Sequence, residues 1–274
     1  MKNFQSKNIV ITGAGSGMGR SLAVQFASLG ATVILSDINE MGLKETQSLI
    51  SATTGTCKIY KVDIADRDQI YTFARQVLSE YGHIDILINN AGMAIGEAKL
   101  NEIPLADFEQ LINVNLWGVV HHTRAFLDVL LTRQEAAIVN TSSVFGLMGI
   151  PGQIPYCISK FAVRGFSDSL RLELEGTNVA VTCVHPGGID TNIVRNGIHY
   201  KDKEATIRQF KKMVITSSDQ AAAIIIRAIQ KKSKRVMVGP DAKLIRFMTQ
   251  LAPGLVDRAV LKRKAKFEER VKSK

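Results

Sequence analysis

The stretch that decides the fold is Lys7-Asn8-Ile9-Val10-Ile11-Thr12, followed at once by Gly13-Ala14-Gly15-Ser16-Gly17-Met18-Gly19. The first six residues have the pattern of a short buried strand, and the apolar residues after Gly19 recur at helical spacing. A glycine turn between a strand and a helix lacks Cβ atoms, so a phosphate can approach the backbone and the positive end of the helix. The stretch therefore predicts a phosphate-binding turn.

A second strand at residues 31–36 ends in Asp37, at the distance expected of an acid that binds the ribose hydroxyls of adenosine. Together with the glycine turn it predicts a dinucleotide site; the alternative for Asp37 is a plain loop residue. A carboxylate here would repel the 2′-phosphate of NADP, and no cation follows it directly. Arg20 and Lys44 are the nearest cations, and both fit ordinary surface positions on helices. We therefore expect NAD, with NADP second.

Strands and helices alternate along the rest of the chain. Further strands are predicted at residues 56–62, 84–88, 136–141, 179–184 and 235–238, with helices near 40–51, 105–131, 217–230 and 244–251. This order predicts an α/β fold of Rossmann type: a doubly wound, parallel, seven-stranded sheet with helices on both faces. No linker or repeat divides the chain, so residues 1–254 are predicted to be one dinucleotide-binding and catalytic domain. Residues 255–274 form a basic amphipathic tail.

Polar or small residues follow several predicted strands, at the sheet edge where such folds bind ligands. Asp63 follows the third strand and could accept a hydrogen bond from adenine, or could serve a turn or helix cap beside Asp66. Ser143 follows the fifth strand. The presence of Asn115 inside a predicted helix requires an explanation, because asparagine is a poor residue for a helix interior. The remaining segments at this edge are Asn89-Asn90-Ala91-Gly92 and His185-Pro186-Gly187-Gly188-Ile189-Asp190-Thr191.

Tyr156 and Lys160 are four residues apart, thirteen and seventeen residues after Ser143. On a helix this spacing turns the second side chain by about 40° and raises it by about 6 Å, so both share one face. A neighbouring cation favours phenolate, so Lys160 is expected to lower the pKa of Tyr156. Tyr156 is then a candidate general acid or base. The alternative is that Tyr156 and Lys160 have this spacing on a helix by chance and play no part in catalysis.

Composition limits the class of protein. With 274 residues, 46% apolar and 22% charged, the chain has the balance of a soluble globular protein. It has no apolar run long enough to span a bilayer and no signal peptide, so we expect a cytoplasmic location. Cys57, Cys157 and Cys183 are scattered and lack metal-ligand spacing, which favours reduced thiols and no metal site.

In combination these motifs resemble the short-chain dehydrogenase/reductase family over about residues 5 to 240. The resemblance is carried by Thr12-Gly13-x-x-x-Gly17-x-Gly19, Asn89-Asn90-Ala91-Gly92, Asn115, Ser143, Tyr156-x-x-x-Lys160 and Pro186-Gly187. It implies a catalytic tetrad of Asn115, Ser143, Tyr156 and Lys160, with a bound water linking Asn115 to Lys160. The implied cofactor contacts are Gly13, Ser16, Gly17, Met18, Gly19, Asp37, Asp63, Ile64, Asn90, Ala91, Gly92, Tyr156, Lys160, Pro186, Gly187, Ile189 and Thr191.

The reaction that the resemblance implies is hydride transfer between NAD(H) and a secondary alcohol or ketone, with Tyr156 as general acid or base. Residues 192–216 are polar and irregular, then amphipathic, and are predicted to be a substrate lid. The lid's apolar residues favour a partly apolar substrate; they are Ile193, Val194, Ile198, Ile207, Phe210 and Met213. The alternatives are an NADP-preferring carbonyl or 3-oxoacyl reductase, and a non-catalytic dinucleotide sensor or scaffold.

The formal net charge of +10 suits a polyanion or an anionic membrane surface. No nucleic-acid reading module accompanies the basic residues, so nucleic-acid binding is not expected. In the tail, Val256, Val260, Phe267 and Val271 could form the apolar side of a helix on a membrane. We favour instead a helix docked on a subunit with its charges solvated. The family resemblance also implies a homo-oligomer, either a dimer or a tetramer.

Overall fold

The computed structural model describes residues 1, 3–53 and 55–272, with side chains as far as residue 262. Within this part of the chain the strands form one seven-stranded sheet. The strands are β1 (Asn8–Thr12), β2 (Thr32–Asp37), β3 (Thr56–Lys61), β4 (Ile86–Asn89), β5 (Ala136–Thr141), β6 (Val179–Pro186) and β7 (Arg235–Val238). All neighbours pair in parallel, in the spatial order β3-β2-β1-β4-β5-β6-β7. The predicted parallel, doubly wound architecture is confirmed.

Helices connect the strands and cover both faces of the sheet. They are α1 (Gly17–Ser28), α2 (Glu40–Ser51), α3 (Arg67–Tyr81), α4 (Leu105–Ile112), α5 (Gly118–Leu131), α6 (Ile154–Glu173), α7 (Lys203–Met213), α8 (Ser218–Gln230), α9 (Pro240–Leu251) and α10 (Pro253–Lys272). Short 3-10 turns occur at Leu100–Glu102 and Val144–Gly146, and a π-helix occupies Asn113–Trp117. Ser217 begins α8 with a capping box. Its hydroxyl accepts the amide of Gln220, and the side chain of Gln220 accepts the amide of Ser217.

Two apolar cores lie on opposite faces of the sheet. Ile9 and Ile11 of β1 face the core shared with α1, α2 and α8, whereas Val10 faces the core shared with α3, α5 and α6. Leu87 of β4 likewise points to the second core, between two isoleucines that point to the first. A strand that is buried on both faces reads as a continuous apolar run, which is why these strands were predictable.

The long helix predicted over 105–131 is interrupted. The π-helix Asn113–Trp117 separates α4 from α5, and the buried Asn115 lies within it. The extra residue in this turn reorients the side chains that follow it. The predicted fourth and sixth strands are also shifted: β4 begins at Ile86 and β6 runs on to Pro186.

The chain ends in two helices, with α9 packed on β7 and α10 packed on α9. Val256 is buried and Val260 is partly buried, so this side of α10 faces the protein instead of solvent. Phe267 and Val271, which the sequence placed on the same stripe, lie outside the described side chains. Among the described residues, no helix is long and apolar enough to cross a membrane.

Candidate active site

The glycine turn between β1 and α1 leaves no room for larger side chains. Gly13 has a φ of +67°, and a Cβ at this position would lie 2.7 Å from the Cα of Ala91. A Cβ on Gly19 would lie 2.1 Å from the carbonyl oxygen of Gly13. The turn is therefore compact against both the start of α1 and the segment after β4.

The start of α1 carries no side-chain cap. Ser16 is the N-cap residue, with extended backbone, but its hydroxyl accepts no amide of the first turn. The first turn, with Gly17, Met18 and Gly19, also contains no acidic residue. These amides and the helix dipole are thus available to an anion from outside the chain.

Asp37, at the carboxyl end of β2, is fixed beside the glycine turn. One carboxylate oxygen accepts the amide of Gly15 at 2.9 Å and the other accepts the amide of Asn39 at 2.9 Å. The carboxylate is thereby placed at the open edge of the sheet.

Arg20 does not occupy the ordinary surface position that the sequence suggested. Its guanidinium donates to Glu45 at 2.6 Å, to Thr46 at 3.0 Å and to the carbonyl oxygen of Gly42 at 3.3 Å, so α2 holds it. Lys44 fits the surface position predicted for it, exposed and paired with Glu40 at 2.7 Å.

Asn90 ties the end of β4 to the end of β1. Its side-chain nitrogen donates to the carbonyl oxygen of Thr12 at 3.0 Å, and the hydroxyl of Thr12 accepts the amides of Asn90 and Ala91, both at 3.0 Å. A Cβ on Gly92 would lie 3.3 Å from the Lys160 ammonium. The segment from Asn90 to Gly92 therefore connects the glycine turn to the predicted catalytic lysine.

Asp63 serves a turn after β3. Its carboxylate accepts the amide of Ala65 at 2.9 Å, and its own amide donates to the side chain of Gln69 at 3.0 Å. Asp66 is the helix cap, since it accepts the amides of Asp68 and Gln69 at the start of α3. Ile64 packs against Gly118, where a Cβ would lie 3.0 Å from the Ile64 carbonyl oxygen. The turn role weighed for Asp63 is thus occupied, and an adenine contact stays a prediction.

Three of the predicted catalytic side chains converge beyond the end of β5. The hydroxyl of Ser143 accepts the amide of Phe145 at 3.1 Å and is hydrogen-bonded to the side chain of Tyr156. The Lys160 ammonium lies 5.6 Å from the centre of the Tyr156 ring and donates to the carbonyl oxygen of Thr141 at 3.1 Å. As predicted from their spacing, Tyr156 and Lys160 share one face of α6.

Asn115 supports this cluster from the π-helix. Its side chain accepts the amide of Met93 at 2.8 Å and donates to the Met93 carbonyl oxygen at 3.0 Å, as well as to the hydroxyl of Ser159 at 3.2 Å. It therefore joins the segment after β4 to α6. Asn115 and Ser159 are fully buried, and a Cβ on Gly92 would lie 3.1 Å from the side-chain oxygen of Asn115.

Comparison with known proteins identifies the family. The model of the short chain dehydrogenase family matches residues 7–201. The chain belongs to the short-chain dehydrogenases. SadH of Mycobacterium tuberculosis, whose name describes an oxidoreductase and states no substrate, is 37% identical over 272 residues, which cover 97% of this chain and 98% of SadH.

Two solved structures of short-chain dehydrogenases share the fold. An enzyme from Burkholderia phymatum in complex with NAD has a TM-score of 0.85 and 28% identity, and the match covers 94% of this chain and 97% of that one. A metagenomic short-chain oxidoreductase in complex with NADP has a TM-score of 0.73 and 26% identity, covering 86% of this chain and 97% of that one.

The electrostatics of this dehydrogenase differ from the sequence-based expectation. Burial raises the pKa of Tyr156 to about 12, and the hydrogen bond with Ser143 only partly opposes that rise. Burial also lowers the pKa of Lys160 to about 8. The net pKa of Tyr156 is therefore raised and not lowered as expected, because desolvation outweighs the stabilisation that the Lys160 charge can give the phenolate. The ammonium lies near the ring and donates to Thr141, so desolvation dominates both side chains.

The loop after β6 is held by a residue that the sequence did not single out. Asp241, in the first turn of α9, accepts the amide of Gly188 at 2.7 Å. A Cβ on Gly187 would lie 2.1 Å from the Asp241 carboxylate, so the loop passes directly over it. Thr191, further along, lies beside Gly17, where a Cβ would approach it to 3.1 Å. The loop thus reaches back to the glycine turn, and the cofactor contacts expected of Pro186, Gly187, Ile189 and Thr191 stay predictions.

The segment predicted as a lid is anchored at two points. Ile189 pairs with Thr216, and Ile198 pairs with Ile95 through short parallel bridges. A cavity of about 190 Å³ lies within this segment and includes none of the predicted catalytic residues. Its lining combines polar, charged and apolar side chains: Asp190, Thr191, Asn192, Val194, Arg195, Ile207, Phe210 and Lys211. A larger cavity, of about 410 Å³, lies between β3 and α3 and includes none of the predicted catalytic residues.

Tyr200, in the lid segment, is a second tyrosine at the site that the sequence did not distinguish. Its hydroxyl is buried without a hydrogen-bond partner, and burial, followed by the charge of ionised Tyr156, raises its pKa to about 12. A Cβ on Gly197 would lie 2.3 Å from this hydroxyl. Because the charge of Tyr156 affects the pKa of Tyr200, the two side chains belong to one region, and the unpaired hydroxyl is a polar group that a substrate could satisfy.

His185 is a further buried residue with a structural part in the site. Its Nδ1 lies 3.0 Å from the carbonyl oxygen of Ser143, and burial lowers its pKa to about 4. The imidazole is therefore neutral and can donate to that oxygen, which fixes the turn after β5. Neither it nor His122, whose burial also lowers its pKa to about 4, contacts the hydroxyl of Tyr156. Cys57, Cys157 and Cys183 are free thiols, as predicted, and the described residues contain no cluster able to hold a metal ion.

Proposed function

We propose that this short-chain dehydrogenase transfers a hydride between NAD(H) and a secondary alcohol or ketone of partly apolar character, with Tyr156 as the general acid or base. The observation that carries the proposal is the convergence of Ser143, Tyr156 and Lys160 next to Gly92. Gly92 belongs to the segment after β4, in which the Asn90 side chain is hydrogen-bonded to Thr12, the residue just before the glycine turn. A proton-transfer group and a dinucleotide site thus share one edge of the sheet.

The residues present fit a dinucleotide. The uncapped first turn of α1 can bind its pyrophosphate, and Asp37 can bind the hydroxyls of the adenosine ribose. The carboxylate of Asp37 supports NAD over NADP, since a 2′-phosphate would lie against a negative charge. The nearby cation Arg20 donates to α2 and to the carbonyl oxygen of Gly15, so its guanidinium already has partners within the chain. The cofactor supplies the hydride acceptor or donor when bound.

In the reduction direction, the hydroxyl of Tyr156 donates its proton to the carbonyl oxygen of the substrate. Its pKa of about 12 keeps the hydroxyl protonated at neutral pH, which suits this role. Ser143 donates a hydrogen bond to the same oxygen and holds it in reach. The Lys160 ammonium stabilises the phenolate that forms, and Asn115 keeps Lys160's helix and the Met93 segment in register. Oxidation runs through the same groups in reverse.

The lid residues support the substrate class. Val194 is buried, and with Ile207 and Phe210 it forms the apolar part of the cavity within the lid segment, beside the charged Asp190, Arg195 and Lys211. These three apolar side chains would cover an apolar part of the substrate. The unpaired hydroxyl of Tyr200 would hold a second polar group of that substrate. Together they favour a compound with an apolar body and two oxygen functions, one of which reacts.

The experiment that tests the proposal is a panel of secondary alcohols and ketones of increasing chain length, followed by NADH absorbance with NADP(H) in parallel. Turnover should rise with apolar length and should be faster with NAD(H). A dinucleotide sensor is the competing function; it predicts NADH binding without turnover of any panel member. Faster turnover with NADPH at equal concentration would overturn the cofactor preference but leave the reaction class intact.

A further inference from the structure

Helix α9 presents a stripe of large apolar side chains to solvent. Leu244, Phe247 and Leu251 are spaced by three and four residues, so they share one side of the helix, and they are 62%, 59% and 69% exposed. Leu255 and Leu261 on α10 are exposed as well, at 53% and 58%. Scattered exposed leucines are ordinary, but a row of large apolar side chains along one side of a helix marks an interaction surface. We call Leu244, Phe247 and Leu251 the apolar stripe.

Basic residues flank the apolar stripe. Lys243 and Arg246 lie on the neighbouring side of α9, and Arg258 and Lys262 lie on α10. Over residues 240–274, from the start of α9, the sequence contains ten basic and four acidic residues, so this segment carries +6 of the chain's formal net charge of +10. The surface therefore pairs apolar side chains with a local positive charge.

The opposite side of α9 reaches the active site. Ala242 and Ile245 pack in a cluster with Phe145 and Leu147, and the Phe145 ring meets the Tyr156 ring edge-on, with centres 5.8 Å apart. Asp241, at the start of the same helix, holds the loop after β6. The apolar stripe thus lies across α9, a helix about 10 Å in diameter, from the cluster that contacts Tyr156.

We propose that the apolar stripe docks on the surface of an anionic lipid bilayer. Its leucines and Phe247 would enter the boundary between headgroups and acyl chains, while the flanking lysines and arginines would contact anionic headgroups. The bilayer surface would then lie next to the lid, where an apolar substrate would enter. The docking itself does not depend on the proposed reaction, and its test measures no turnover.

Charge decides between a bilayer and a second copy of this chain. In a two-fold symmetric pair the same patch meets itself, so the basic residues beside each stripe would be brought together. Like charges across an interface oppose association. An anionic bilayer instead neutralises each of them, so every lysine or arginine near the surface strengthens binding.

The test is co-sedimentation of the full chain with two kinds of vesicle, phosphatidylcholine alone and phosphatidylcholine mixed with phosphatidylserine. We expect binding to the mixed vesicles, weaker binding at high salt because salt screens the charges, and little binding to the neutral vesicles. Equal binding to both vesicles, or none to either, would overturn the proposal.

Variants then locate the surface. Phe247→Ser combined with Leu251→Ser should lower the partition coefficient about tenfold or more, and Lys243→Glu combined with Arg246→Glu should do the same. Leu49→Ser is the matched control, because Leu49 is an equally exposed leucine on the distant helix α2, at 50%, and should leave binding unchanged. Circular dichroism checks that each variant is folded.

Light scattering on the same variants separates a bilayer from a second copy. The proposal predicts that Phe247→Ser with Leu251→Ser leaves the molecular mass in solution unchanged. A lower mass together with unaltered vesicle binding would identify the apolar stripe as an interface between copies and would overturn the proposal.

Discussion

The ammonium of Lys160 lies 5.6 Å from the centre of the Tyr156 ring and donates a hydrogen bond to the carbonyl oxygen of Thr141. The lysine is thus fixed by the strand β5 backbone and not by the tyrosine hydroxyl. Burial lowers its pKa to about 8, so its charged form is less stable in the folded chain than in the unfolded one. This cost in folding free energy is present below about pH 8 and diminishes as the pH rises toward the ordinary lysine value.

Lys160→Met should separate stability from activity. The variant keeps the length of the side chain and removes the buried charge, so its thermal midpoint at neutral pH should equal or exceed that of the wild type. Its advantage should shrink as the pH rises above about 8. Its turnover should fall by about 10²-fold or more, because the phenolate of Tyr156 loses its counter-charge. A variant less stable than the wild type at neutral pH would mean that the bond to Thr141 outweighs desolvation.

The pH dependence of ketone reduction should follow the same lysine. Tyr156, with a pKa of about 12, stays protonated through the physiological range, so its supply of protons does not limit the rate. Lys160 is charged below its pKa of about 8 and neutral above it. The rate of reduction should therefore be level near neutral pH and fall above about pH 8. A profile that stays level to pH 10 would contradict the role given to the Lys160 charge.

The fold followed from the sequence because both faces of the sheet are covered. Runs such as residues 8–12 are apolar on both sides, and each ends in a residue type that suits the ligand edge. The Tyr156 and Lys160 pair was equally visible, since helical spacing alone places both on one face. What the sequence could not give were effects of burial: the pKa values of this pair depend on desolvation by distant segments.

Contacts between segments that are remote in the sequence could not be predicted either. Asp241 holds Gly188 across more than fifty residues, and no local pattern distinguishes it from an ordinary acidic residue in a first helical turn. The sequence predicted a surface position for Arg20, whereas its guanidinium donates hydrogen bonds to residues of α2. Asn115, in contrast, could be singled out from the sequence, because asparagine is unfavourable inside an α-helix. The structure explains its position, since it lies in a π-helix.

Asp37→Asn should relax the choice of cofactor. An asparagine can keep an oxygen acceptor for the amide of Gly15, whereas the negative charge is lost. We expect KM for NAD to rise about tenfold, since a hydrogen bond to a charged group is replaced by a neutral one, and KM for NADP to fall. Steady-state kinetics with both cofactors measure this. Lys44→Gln is the control, because Lys44 pairs with Glu40 and should not alter either KM. If the ratio of the two KM values stayed constant in Asp37→Asn, the carboxylate would not be the selecting group.

Tyr200→Phe should change KM and leave kcat nearly intact. The hydroxyl of Tyr200 has no partner within the described chain, so its removal costs the free enzyme little, whereas a substrate that bonds to it loses about 1 kcal/mol of binding. KM should thus rise about fivefold for substrates with a second oxygen function and should not change for simple alcohols. An equal effect on both substrate groups would rule out a direct contact.

The central claim is that Tyr156 transfers the proton while most of the cofactor affinity comes from other residues, those of the glycine turn and Asp37. Its most direct test is Tyr156→Phe, with turnover followed by NADH absorbance and NADH affinity measured separately by fluorescence titration. The claim predicts a 10²- to 10⁴-fold loss of kcat with NADH affinity nearly unchanged. Retention of more than about a tenth of the wild-type kcat would contradict it.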